Sequence, residues 1–157
     1  MRKPSHPNLS RVIPIGVSIA AIDQLTAWWA RQSVPLGHET WLVRPVLGME
    51  LLFNRGATLG IGSQWPFFVT IVGVLGTIIL FWLALTLKSL QIPLAVMAGG
   101  ALGNVVSRIH SGRVTDFIRI SGWPGIFNLA DVAIRLGGLW LIIHVLITSR
   151  NKKTSSP

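Results

Sequence analysis

From position 66 to 87 the chain runs for 22 residues without a charge, and this stretch limits the possible folds more than any other. A bilayer core takes about 20 apolar residues of helix to cross. In lipid every backbone polar group must be satisfied internally, so a lone apolar run of this length is expected to be helical. Pro66 at its first position suits a helix start. Three other runs follow the same logic: 12–29, broken by Ser18, Asp23, Gln24 and Thr26; 92–109, rich in small residues; and 126–148. The polar turn at 88–91 is short enough to make the second and third runs antiparallel neighbours. Half the residues are apolar and the mean hydropathy is +0.59. The expected fold is therefore membrane all-α, one domain over 1–157 with four transmembrane helices at about 12–29, 66–87, 92–109 and 126–148.

Residues 31–65 are more polar. Pro35, Gly37, Pro45 and Gly48 punctuate β-prone pieces near 41–43 and 49–53, which predicts a small extramembrane β element. The basic start followed by an apolar run resembles a cleavable signal peptide. Asp23 interrupts it, however, and no small-residue cleavage site follows, so 12–29 reads as a retained span. Four spans put both termini on one side. Arg2, Lys3, Arg11, Lys88, Arg150, Lys152 and Lys153 lie on the side of the termini, against Arg31, Arg44, Arg55, Arg108, Arg113 and Arg119 on the other. The margin of one favours cytoplasmic termini.

Several classes of chemistry are set aside. There is no cysteine, which excludes disulfides, thiolate metal sites and a cysteine nucleophile. His6, His38, His110 and His144 are scattered without metal-ligand spacing, so no metal or other cofactor is expected. The net charge of +9 arises from five acids against fourteen bases. With no recognition module in view, it fits contact with anionic lipid headgroups rather than nucleic acid. The seven tryptophans suit interfacial belts.

The chemistry is expected in 99–134, which leaves one span, forms a Gly/Pro-rich loop, re-enters another, and carries Asp116 and Asp131. A carboxylate at the membrane edge is costly and points to function. Gly100, Asn104 and Arg108 share a helix face at i, i+4 and i+8, and Asn128, Asp131, Arg135 and Gly138 form a second polar stripe. Both stripes converge on the loop that holds Asp116. Brought together, two carboxylates cannot both ionise cheaply, and a pair sharing a proton can activate water and protonate a leaving amine. Plainer readings stand beside this one. Asp116 can cap the turn or pair with Arg113 or Arg119, and Asp131 can pair with Arg135. Asn54 can be a turn residue, while Asp23 and Gln24 read as polar glue between helices, with Gly99 and Gly103 allowing close approach.

Four pieces of the chain resemble, in order, the lipoprotein signal peptidase (signal peptidase II) family. They are Ile22-Asp23-Gln24; Phe53-Asn54-Arg55-Gly56-Ala57; Gly99 to Asn104 with Arg108; and Val114-Thr115-Asp116-Phe117-Ile118 followed by Phe127-Asn128-Leu129-Ala130-Asp131 with Ile134. The resemblance implies a multi-pass aspartyl endopeptidase of the bacterial inner membrane. Its termini would be cytoplasmic and its site near the periplasmic face, and it would cut prolipoproteins before a diacylglyceryl-modified cysteine. It implies a catalytic pair at Asp116 and Asp131, with Asn54, Gly56, Asn104, Arg108 and Asn128 holding substrate, and a β-cradle from 31–65. Prolipoproteins and membrane lipids would be the partners, and a monomer suffices. The chain departs from the family pattern at Ala27 (usually Lys), Ser107 (usually Asp), Val132 (usually small or hydroxylated) and Arg135 (usually small or apolar). A cation at Arg135 is expected to favour the ionised Asp131. The alternative implied is a divergent paralogue, non-catalytic or altered in specificity, that binds lipidated peptides. A proton-coupled carrier using Asp23 and Asp131 is a weaker third reading.

Overall fold

The computed structural model of the chain describes residues 9–154. Arg2, Lys3 and His6 of the basic N-terminal tail lie outside the described residues, as do positions 155–157. Four long helices and one small sheet make up the structure: α1 Leu9–Ser33, β1 Thr40–Val43, β2 Leu47–Asn54, α2 Pro66–Thr86, α3 Gln91–Ser111, β3 Val114–Ile120, β4 Ile126–Phe127 and α4 Leu129–Thr154. All four helices are long and apolar enough to cross a membrane. Pro66 occupies the first turn of α2, where its missing N–H costs nothing. Gly112 ends α3 in the left-handed conformation, its N–H returning to the Arg108 carbonyl, a cap that glycine adopts without strain.

α3 is the hub and packs against each of the other three helices. Its small residues explain how. A Cβ on Gly99 would sit 2.7 Å from the Gly16 carbonyl oxygen, one on Gly103 2.7 Å from Asp23 Oδ2, and one on Gly100 2.5 Å from the Ala130 carbonyl oxygen. Gly99 and Gly103 thus face α1 while Gly100 faces α4, and dispersion at close backbone approach takes the place of a hydrophobic drive that lipid does not supply. By contrast, α2 leaves most of its large side chains exposed, Phe67, Phe68, Ile78 and Trp82 among them, as a lipid-facing helix should.

The antiparallel sheet runs β1-β2-β3-β4. It is tied to α1 through Ala30, Val34, Leu51 and Phe117, and Trp29 meets Phe117 edge-on with centroids 6.4 Å apart. Arg119 holds the outer sheet to Glu39 at 2.7 Å and Glu50 at 3.1 Å. Two expectations need correcting. The cradle does not come from 31–65 alone: β3 falls in the stretch read as a loop, because Val114–Ile120 pairs with the distant β2, and β4 falls at the start of the run read as the fourth span. The fourth apolar run also starts as strand, so its helix begins at Leu129 and continues to Thr154 through part of what reads as a polar tail.

Candidate active site

The site forms where β2, β3, α3 and the start of α4 meet. Registering β2 against β3 sets Leu52 opposite Asp116 and Asn54 opposite Val114, and the Asn54 Nδ2 then donates to Asp116 Oδ2 at 3.1 Å. The other carboxylate oxygen, Oδ1, accepts from Asn128 Nδ2 at 3.0 Å. Asp116 is 1% exposed. Burial pushes its carboxyl up to about 7, the charge of Asp131 adds to the rise, and Asn54, Arg108 and Asn128 pull against it.

Asn128 immediately precedes α4 and acts as its N-cap, its Oδ1 accepting the Asp131 N–H at 2.8 Å. This is the orphan donor that a capping side chain satisfies. A second orphan, the Ala130 N–H, is met from across the bundle by Asp23 Oδ1 at 2.8 Å. Asp131 therefore sits in a first turn whose N–H groups are held at two points, at the positive end of the helix dipole. Asn104 closes the ring, donating to Asp131 Oδ1 at 2.9 Å and accepting from Asn128 at 2.9 Å. Asp116 and Asp131 are thus linked by an unbroken chain of two amides, Asn128 and Asn104.

Both carboxylates line one cavity of about 410 Å³. Phe68, Val69, Val72, Val105 and Ile134 supply apolar walls from α2, α3 and α4. Arg108 reaches across it, donating from Nη2 to the Gly56 carbonyl at 2.6 Å and from Nη1 to the Asn104 carbonyl at 3.3 Å. Among the described residues its buried Nε has no hydrogen-bond partner. Gly56 is required where it stands, since a Cβ there would lie 2.5 Å from the backbone of Gly60. Its N–H is held by Asn54 Oδ1 at 2.9 Å. Among the described residues no cluster of His, Asp or Glu could hold a metal ion.

The two carboxylates thus line one space with Asn54, Asn104, Arg108 and Asn128, whereas Gly56 does not line it and meets the site through Arg108, which donates to its carbonyl. Of the plainer pairings, none forms: Arg113 stacks on Phe53 at 3.9 Å, and Arg119 goes to the glutamates. Arg135 lies over the Phe127 and Trp123 rings at 4.8 and 5.7 Å, facing the loop aromatics. The Arg135–Asp131 ion pair does not form, and the aromatic faces take the cation instead. Asp23 and Gln24 sit behind the site. Gln24 Nε2 lies 3.0 Å from Asp23 Oδ2, the Gly103 carbonyl and Ser107 Oγ.

The sequence reading missed two links. One is the reach of Asp23 to Ala130 across 107 positions. The other is a hydrogen bond from Arg31 Nη1 to Thr115 Oγ1 at 3.1 Å beside Asp116. No local spacing reports either contact, although a buried acid in a span is itself a signal that a partner exists. Replacing Asp23 by Ala leaves the Ala130 N–H unpaired and is expected to cost about 1–3 kcal/mol. Differential scanning fluorimetry in detergent checks this as a lowered unfolding midpoint.

Residues 15–147 match the family described as Signal peptidase (SPase) II. The chain belongs to the signal peptidase II family. It is 35% identical over 147 residues to the lipoprotein signal peptidase of Shouchella clausii (strain KSM-K16), covering 90% of this chain and 97% of that protein. It is 36% identical over 147 residues to that of Coxiella burnetii (strain RSA 331 / Henzerling II), covering 87% and 90%. The solved structure of a bacterial membrane enzyme superposes with a TM-score of 0.83 at 27% identity, covering 98% of this chain and 99% of that one. Signal peptidase II proteins remove signal peptides from prolipoproteins, and the four helices make this one a multi-pass membrane peptidase. Of the departures from the family pattern, Ser107 turns to Gln24 on α1, and Ala27 is buried in α1. Val132 has no structural explanation.

Proposed function

We propose that the protein is a membrane aspartyl endopeptidase that cuts diacylglyceryl-modified prolipoproteins just before the lipid-bearing cysteine. Asp116 and Asp131 form its dyad, and Asn54, Gly56, Asn104, Arg108 and Asn128 hold the substrate backbone. The observation that carries this reading is the single cavity lined by both carboxylates, with Asn128 and Asn104 linking them. Asp131 takes a proton from water as the water oxygen attacks the scissile carbonyl carbon. Protonated Asp116 gives its proton to the carbonyl oxygen, leaving a neutral gem-diol. As the C–N bond breaks, Asp131 returns its proton to the nitrogen and the diol returns one to Asp116, which restores the pair. Apolar walls on α2, α3 and α4 accept acyl chains, each buried CH₂ contributing about 0.8 kcal/mol. The enzyme acts as a monomer in the bacterial inner membrane, its termini cytoplasmic and its cavity near the periplasmic face. Ser107 and Arg135 bond away from the dyad, which favours a working enzyme over a binder of lipidated peptides.

The pH profile tests the division of labour. Because Asp116 must hold a proton, kcat/KM falls as pH rises through about 7. The Asn54 hydrogen bond favours the ionised form, so Asn54→Ala moves that alkaline limb upward while lowering the plateau. A limb that is indifferent to Asn54 would contradict the assignment of the acid.

A further inference from the structure

A second cavity, of about 530 Å³, adjoins the first and shares with it only Asn54 and Asp116. The two differ in what builds them. Residues of α2, α3 and α4 line the first, whereas the second is lined by β2, β3, β4 and the connecting segments, with no residue from a membrane helix. The segment after β2 divides them: Thr58 and Ile61 face the first, Leu59 and Ser63 the second. That partition is pinned by Arg108 on the Gly56 carbonyl and by Asn54 on the Ala57 carbonyl. A peptide laid across Asp116 therefore has one space on the membrane side and another on the sheet side. Arg55 stands at the second space, exposed and, among the described residues, without a hydrogen bond or ion pair. Neighbouring cations are engaged: Arg119 with Glu39 and Glu50, Arg113 on Phe53, Arg31 on Thr115.

We propose that the sheet-side cavity is the subsite for the polypeptide that follows the lipid-bearing residue, and that Arg55 selects acidic side chains in that segment. The proposal rests on the peptidase reading. The lipid and the apolar signal segment belong with the helix-lined cavity, while the chain leading to the water-soluble protein leaves through the space built without helices. A cation at a partly solvated rim acts mainly through steering and preference among substrates.

The test uses the full-length enzyme in detergent and two diacylglyceryl-modified prolipoproteins, with Asp or Lys at the second and third positions after the cut. The parent enzyme is expected to favour the acidic substrate by about fivefold in kcat/KM at low salt, the scale of one exposed charge pair, less so at high salt. Arg55→Lys keeps the preference and Arg55→Glu inverts it. The same charge swap placed before the cut is indifferent to Arg55. Equal acidic-to-basic ratios in the parent and in Arg55→Glu, with both substrates cleaved, overturn the subsite while leaving the peptidase reading intact. If the folded parent cleaves neither substrate, both fall.

Discussion

Replacing Asp116 or Asp131 by Asn is expected to abolish cleavage, lowering kcat by about 10³-fold or more, because in the proposed cycle each carboxylate both takes and returns a proton. The losses are not additive: the double variant is as inactive as either single one, as expected of groups that act as a unit. Stability moves differently, which separates a catalytic from a folding defect. The carboxyl of Asp116 is raised to about 7 in the folded protein against an ordinary value near 4 in the unfolded chain. Between those values the folded state binds the proton more tightly, so this group's contribution to stability is present at low pH and declines as pH rises from about 4 through 7. Asp116→Asn cannot ionise and lacks that decline. It is expected to gain on the parent in unfolding midpoint as pH rises, while remaining inactive. Quantitative cleavage assays and thermal scans at pH 5 and pH 8 check both halves.

Asn128 carries the second large effect. It caps α4 through the Asp131 N–H and donates to both Asp116 and Asn104. Asn128→Ala removes three contacts at once. Loss of the cap alone costs about 1 kcal/mol, and displacement of Asp131 relative to Asp116 costs about 100-fold in kcat/KM. Asn128→Asp isolates the roles. Its oxygen still caps α4, but a third carboxylate now faces Asp116, so less stability is lost and the alkaline limb moves up. A thermal midpoint and a pH profile on the two variants distinguish these outcomes. Activity within twofold of the parent in Asn128→Ala would contradict the link.

Much of this was readable in the chain because lipid restricts its solutions. An uncharged run of 22 residues has one regular conformation available, so the helices follow from hydropathy. The face shared by Gly100, Asn104 and Arg108 follows from helical period. β3 was not legible for a physical reason: Val-Thr-Asp-Phe-Ile is β-prone, yet its partner lies on β2, and strand pairing is a long-range event that local pattern does not encode. Asn128 illustrates the same limit. Its spacing from Asp131 places it in the polar stripe of the fourth span, whereas its cap on α4 and its donation to Asp116 require the sheet to end that run as a strand and to deliver the carboxylate. Arg135 misleads because sequence distance places it one turn from Asp131, while its guanidinium lies over the Phe127 and Trp123 rings.

Hydrolysis of a peptide bond by the paired carboxylates is tested most directly by intact-mass analysis of a diacylglyceryl-modified prolipoprotein after incubation with the purified parent protein in detergent. Two products are expected whose masses sum to that of the substrate plus one water, the lipidated fragment beginning at the modified cysteine. Substrate that stays bound to the folded protein and is recovered intact would contradict it, and would mean that this cavity holds lipidated peptides without cutting them.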